Sequence, residues 1–185
     1  MSDRVILEPD TFKLVDFDPA ELKALIDGLL DVVGLDQPVT LEIDQTTPLG
    51  HTAIRSIDPI VLFAESGALE DPRQLRALNP AGARIELGRM LFRVRDRLDT
   101  AFGEVPDDDA ISLQEQAAWD AYAVGRIVRA GHSYYDERQR RLYQFRTRHG
   151  FSDAGDAAFA ALWDGVDLTW PKIAALSAEG NTRAA

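Results

Sequence analysis

The spacing of apolar residues changes along this chain, and the change limits the folds open to it. Between residues 39 and 43 apolar and polar residues alternate, which is typical of a strand that buries one face. Beyond residue 79 apolar residues recur every three or four positions, which is the spacing of a helix. The pattern predicts an α+β fold, with a small N-terminal sheet packed with four or five helices and a helical C-terminal half.

The N-terminal part predicts an antiparallel or mixed sheet of three to five strands. Residues 5–7 and 12–15 are short apolar runs on either side of a turn signal at 8–10 (EPD), so we expect a weak hairpin there. Residues 52–57 predict a further strand. Residues 60–64 (IVLFA) are apolar on both faces, which predicts a central or doubly covered strand.

Capping residues mark where helices begin and end. Asp18 and Pro19 open an apolar stripe that Gly34 ends, and residues 112–115 (SLQE) have the pattern of a capping box. The pair at 71–72 (DP) is expected to open a short helix. Longer helices are expected at about 79–98, 112–130, 136–149, 152–164 and 169–177.

Length and composition favour one globular domain. Residues 1–177 are expected to form it, followed by a frayed tail of residues 178–185. The N-terminus has no apolar core of signal-peptide length, and no apolar run approaches the ~20 residues that cross a bilayer, so we expect a cytoplasmic protein. The sequence contains no cysteine, which excludes disulfides, thiol nucleophiles and thiolate metal ligands.

The net charge of −11 is unevenly distributed. Residues 1–72 carry fifteen acids and four bases, whereas residues 73–150 carry eleven acids and fourteen bases. The basic middle either pairs with the acidic N-terminal third of the same molecule or faces an anionic partner. Nucleic acid and membrane surfaces are disfavoured as partners, because an acidic protein repels phosphate backbones and anionic lipids.

The densest basic segment is residues 138–149 (RQRRLYQFRTRH), which hold five arginines and a histidine. At helical spacing Leu142 and Phe145 mark its buried side. Arginine forks bind carboxylates and phosphates through two hydrogen bonds, which indicates a docking or anion site. The alternative is a helix of internal ion pairs with a solvated face. The residues expected along the flank and at the end of this helix are Arg138, Arg141, Arg148 and His149.

Aromatic residues precede the basic helix. His132, Tyr134 and Tyr135 lie in the loop before it, and tyrosine and arginine are enriched where protein interfaces are strongest. Two adjacent tyrosines cannot both point inward from a regular element, so at least one is expected to be exposed or to face a ligand. Ordinary packing with one exposed ring is the alternative.

No motif in the sequence fixes a chemistry. The phosphate loop G-x-x-x-x-G-K-[ST], the dinucleotide fingerprint G-x-G-x-x-G and the nucleophile elbow G-x-S-x-G are all absent. The histidines are His51, His132 and His149, and no two of them have the spacing of metal ligands. We therefore expect no catalytic residue, metal or other cofactor.

Two functions of different classes remain open. The favoured one is a non-catalytic interaction or accessory protein, whose arginine-rich helix docks an acidic partner or a second copy of itself. The other is an enzyme or sensor for a small phosphorylated or carboxylated anion. In that case arginines would clamp the anion, and His132 or His149 would act as general acid–base.

Overall fold

The computed structural model of the protein describes residues 4–181. The chain divides into two compact units, Met1–Arg95 and Asp96–Ala185. The first contains β1 (Val5–Glu8), α1 (Pro19–Val33), β2 (Val39–Asp44), β3 (Thr52–Ile57), β4 (Ile60–Glu65), a 3-10 turn (Ser66–Ala68), β5 (Glu70–Asp71), β6 (Gln74–Leu78) and most of α2 (Pro80–Leu98). The second contains the end of α2 and then α3 (Leu113–Arg129), α4 (Glu137–His149), α5 (Asp153–Trp163) and α6 (Trp170–Gly180). The predicted α+β class and helical C-terminal half are confirmed.

The first unit is built on a mixed four-stranded sheet in the order β1-β2-β4-β3. β1 and β4 run parallel to β2, and β3 runs antiparallel to β4. Alternate side chains of β2 and β4 are buried, and the register partners Leu41 and Leu62 are among them. The residues between them, such as Phe63, are half-buried. β4 is therefore central, as expected, but only one of its faces is fully covered.

Helix α1 begins and ends where the sequence predicts because both of its ends are capped. The Asp18 carboxylate accepts a hydrogen bond from the Ala20 N–H at 2.8 Å. At the other end Gly34 adopts a φ of 75°, and its N–H donates to the Leu30 carbonyl at 2.8 Å. One stripe of the helix is buried: Leu22, Leu25, Ile26, Leu29, Leu30 and Val33.

The predicted hairpin of residues 5–7 with residues 12–15 is wrong. β1 pairs in parallel with β2, and residues 12–15 form no strand. The backbone N–H groups of Lys13 and Leu14 donate instead to the side-chain oxygen of Gln45, at 2.7 and 2.8 Å. The side-chain oxygen of Gln45 thus accepts the hydrogen bonds that a partner strand would otherwise accept.

The short helix predicted to open at residues 71–72 is also absent. β5 and β6 form an antiparallel pair there. The Asp71 carboxylate accepts a hydrogen bond from the Arg73 N–H at 2.8 Å, which closes a turn. Aspartate before proline is compatible with a helix start and with a turn, and the local sequence does not separate the two.

The second unit packs α3 against α4, α5 and α6. Large aromatic side chains fill its interior, including Trp119, Phe145 and Phe159, each no more than 1% exposed. α6 continues to Gly180, beyond the expected end near residue 177. The remainder of the predicted frayed tail, residues 182–185, lies outside the described residues.

A buried carboxylate fixes α3 to the end of α2. Asp96 is 3% exposed and accepts a hydrogen bond from the Trp119 indole N–H at 2.8 Å. The Arg126 guanidinium donates to both of its oxygens, at 2.8 and 2.6 Å. A buried charge is tolerated when an opposite charge and hydrogen bonds balance it, and Asp96 has both.

Candidate interaction surface on helix α4

The arginine-rich segment folds into α4 because both of its ends carry residues suited to them. The Asp136 carboxylate accepts a hydrogen bond from the Gln139 N–H at 3.3 Å. Gly150 ends the helix with a φ of 105°, a conformation that favours glycine. Two cationic residues, Arg146 and Arg148, lie in the last turn, where the helix dipole favours positive charge.

The buried side of α4 differs from the one expected. Its members follow each other every four residues and are between 0 and 7% exposed: Glu137, Arg141, Phe145 and His149. Leu142 is only half-buried. Arg141 and His149 therefore lie inside the second unit, whereas Arg138 and Arg148 are exposed. The structure does not bring the predicted arginines together on one flank.

Arg141 lies inside because Glu137 balances its charge. The Arg141 Nε atom lies 3.7 Å from one Glu137 oxygen, and the Arg140 guanidinium lies 3.1 Å from the other. The Glu137 side chain is 1% exposed, so this carboxylate would be costly to bury without cations beside it. Glu137 and Arg141 thus form part of the interior, and neither is placed to meet a partner.

His149 is held by hydrogen bonds on both ring nitrogens. Its Nδ1 lies 3.1 Å from the Phe145 carbonyl oxygen, and its Nε2 lies 2.9 Å from the Ser177 hydroxyl. A carbonyl can only accept, so Nδ1 carries the proton and Nε2 accepts the hydroxyl hydrogen of Ser177. Burial lowers the pKa of His149 below its ordinary value, although the Phe145 hydrogen bond acts in the opposite direction. The neutral ring fits this arrangement.

Two further arginines join α4 to α5 and the residue after it. Arg146 donates to both oxygens of Asp156, at 2.7 and 2.5 Å. These hydrogen bonds hold the pKa of Asp156 below its ordinary value. Arg138 lies 3.7 Å from Asp164, in a more exposed pair. Much of the positive charge of α4 is therefore paired within the second unit.

The solvent side of α4 carries a different set of residues, which we call the outer face. Its two aromatic rings, Tyr143 and Phe151, are 63% and 65% exposed, and their centroids lie 6.2 Å apart. In the part of the chain that the structure describes, the Arg148 guanidinium makes no ion pair, hydrogen bond or ring contact. The outer face consists of Arg140, Tyr143, Gln144, Thr147, Arg148 and Phe151.

Of the three candidate residues predicted in the loop before α4, one is exposed and two are half-buried. Tyr135 is 64% exposed, as predicted for at least one of the adjacent tyrosines, and it has a φ of 51°. The centroid of its ring lies 4.2 Å from that of Tyr134, which is half-buried. His132 is also half-buried, and its backbone N–H donates to the Ile127 carbonyl at 3.2 Å.

Sequence reasoning missed Tyr143, Phe151 and Ser177. The signal for Tyr143 was present, because it lies two residues before Phe145 and hence on the other side of the helix. Phe151 follows the terminating Gly150, where no periodicity applies. Ser177 meets His149 only through the packing of α6, so the sequence has no local sign of that pair.

No protein-family model, curated protein or solved structure matches this chain. Within residues 4–181, no helix combines the length and apolar character that crossing a membrane requires. The same residues contain no group of three or more His, Cys, Asp or Glu side chains that could hold a metal ion.

Proposed function

We propose that this protein is an interaction or accessory protein, and that the outer face of α4 docks an acidic partner. The observation that carries the proposal is the exposed aromatic pair Tyr143 and Phe151 near the C-terminal end of α4, where Arg148 is also exposed and has a charge that the described chain leaves unbalanced. Aromatic and arginine side chains dominate the binding energy of protein interfaces. An acidic surface with an apolar anchor would complement both features.

Several properties of the outer face support docking. Tyrosine and phenylalanine bury a large area on binding while only two side-chain torsions become fixed, so their entropic cost is low. α4 is held to α5 by the contact of Arg146 with Asp156 and to α6 by the contact of His149 with Ser177. A partner would therefore meet a preorganised surface, and less binding energy would be lost in ordering it.

The small-anion alternative has weaker support. It requires arginines that converge on a ligand and a histidine within reach of it. Arg141 is instead 7% exposed beside Glu137, and His149 is fully buried and bonded to Ser177. A thermal-shift screen with inorganic phosphate and small dicarboxylates would revive this alternative if one of them raised the melting temperature, since a ligand at 100 times its Kd adds about 2.7 kcal/mol of stability.

The proposal is tested by capturing partners from extract of the source organism with three baits. One bait is the wild type, and one carries Tyr143→Ser with Arg148→Ser. The matched control carries Tyr135→Ser with Arg138→Ser, which removes the same residue types from exposed positions near the start of α4. Circular dichroism and thermal melts establish that all three baits are folded.

We expect the wild type and the control to retain a stoichiometric partner that the outer-face variant loses. The purified partner must then bind purified protein, and its binding must weaken as salt is raised, because charges on both surfaces are screened. A partner that the outer-face variant retains, or no partner for any bait and no self-association, would overturn the proposal.

A further inference from the structure

The first unit carries an acidic surface that complements the outer face. We call residues 10–18 the acidic loop: Asp10, Asp16 and Asp18 are exposed, and Lys13 is its only base. Leu14, between these acids, is 53% exposed. The loop thus combines an exposed apolar residue with an excess of negative charge, whereas the outer face combines exposed aromatic rings with exposed arginines.

Hydrogen bonds from its backbone hold the acidic loop in place. The N–H groups of Lys13 and Leu14 both donate to the Gln45 side-chain oxygen, at 2.7 and 2.8 Å. Two residues on, the Asp16 N–H donates to the Arg76 carbonyl at 2.8 Å. A loop fixed on both sides of its apolar residue would lose little conformational entropy on binding.

We propose that the protein associates with itself, with the outer face of one copy docked on the acidic loop of a second copy. The inference rests on the proposed function and names the partner. Charge complementarity carries it, because one chain bears both a face with exposed aromatic rings and an uncompensated arginine, and an acidic loop around an exposed leucine. Such a contact joins two different patches, so it forms either a closed pair or a longer assembly.

The first test is the molar mass of the purified full chain, measured by light scattering after gel filtration at low and at high salt. The wild type is expected to assemble at low salt and to dissociate at high salt, since the screening length falls from roughly 30 Å at 0.01 M to about 3 Å at 1 M. A wild type that is monomeric at every concentration and salt would overturn the inference.

Charge-reversed variants locate the contact. Asp10→Lys with Asp16→Lys makes the acidic loop basic, and Tyr143→Glu with Arg148→Glu makes the outer face acidic. Each variant alone is expected to be monomeric, because like charges then face each other. An equimolar mixture should assemble again, because each reversed surface meets its opposite. Failure of the mixture to assemble would contradict the proposed contact.

Matched controls carry the same changes of charge at other exposed positions. Asp107→Lys with Asp109→Lys reverses two exposed acids in the second unit, and Tyr135→Glu with Arg138→Glu reverses the start of α4. Both controls should assemble as the wild type does. If either control were as defective as the variant that it matches, net charge rather than a specific surface would govern assembly, and the inference would fail.

Disulfide crosslinking between two copies tests whether the acidic loop of one lies close to the outer face of the other. The chain has no cysteine, so Leu14→Cys and Tyr143→Cys can each introduce a single thiol. A disulfide requires Cα atoms about 4.4–6.8 Å apart. Mixing the two proteins should give the mixed dimer, whereas Leu14→Cys with Leu75→Cys, at another exposed leucine, should not. A mixed dimer at equal yield in both mixtures would argue against the contact.

These results separate the two proposals. A monomeric wild type whose outer face captures a different protein from extract would leave the proposed function standing and remove self-association. A monomeric wild type with no captured partner would remove both.

Discussion

His149 and Ser177 join helices α4 and α6 through a buried hydrogen bond of 2.9 Å. Both residues are at most 2% exposed. The Phe145 carbonyl accepts the proton of the other ring nitrogen, so the ring is held in one tautomer. The pair resembles a nucleophile and its base in distance, but its burial makes it a structural contact between two helices.

Replacing Ser177 with alanine should lower the free energy of unfolding by about 1–3 kcal/mol, because the hydroxyl that donates to His149 is lost inside the unit. Urea denaturation measures the change. Thr46→Ala is a suitable control, since its hydroxyl makes an exposed hydrogen bond to Asp44. Equal effects of the two substitutions would show that burial does not set the strength of the His149 contact.

Protonation of His149 should destabilise the protein in mild acid. Burial lowers the folded-state pKa of His149 below the ordinary value of 6.5, so the unfolded chain binds this proton first. The stability is fully present above the unfolded pKa and is lost as the pH falls from there towards the folded pKa. Urea denaturation between pH 8 and 5 should show the decline in the wild type.

His149→Gln should remove that part of the pH dependence, because glutamine does not titrate. His51→Gln changes an exposed histidine and serves as the control. A pH profile for His149→Gln with the same slope as the wild type would mean that other groups cause the decline.

The loss of stability caused by an arginine substitution on α4 should depend on how deeply that arginine is buried rather than on its position in the sequence. Arg141→Glu places a second carboxylate beside buried Glu137, and breaking a buried ion pair costs about 3–5 kcal/mol. Arg148→Glu changes an exposed residue and should alter the stability by no more than about 0.5 kcal/mol. Thermal denaturation of the two variants gives the comparison, and similar melting temperatures would contradict the burial of Arg141.

Two helical glycines should respond to alanine in opposite directions. A Cβ atom at Gly125 of α3 would overlap the Trp163 carbonyl oxygen, and overpacking of this kind costs about 1–3 kcal/mol. No atom lies within 4 Å of the corresponding position at Gly28 of α1, so alanine there should stabilise by roughly 0.5–1 kcal/mol. Chemical denaturation of both variants tests the pair.

The elements that could be predicted from the sequence are those that depend on residues close together in the chain. The Asp18 cap, the Gly34 stop and the single apolar stripe between them all act within one helix, and α1 has the predicted bounds. The alternation in β2 likewise identified a strand with one buried face. The order of the strands could not be predicted, because the alternation of apolar and polar residues does not show which strand pairs with β1.

The buried side of α4 could not be predicted from hydropathy. Glu137, Arg141 and His149 are ionisable, so a hydropathy pattern assigns them to solvent. They are buried because their charges and hydrogen bonds are satisfied, by Arg140 three residues along the same helix for Glu137 and by Ser177 of α6 for His149. Tyr143 and Phe151 of the same region are exposed to solvent.

The parallel pairing of β1 with β2 affects the order in which the chain folds. The whole of α1 lies between Val5 and Val39 in the sequence. Bringing these two residues together therefore costs loop-closure entropy before their contact contributes to stability. α5 and α6 follow each other in sequence and pack together, and local contacts of this kind form quickly. α5 and α6 should therefore acquire their structure early in refolding, and the parallel pairing of β1 with β2 should form later.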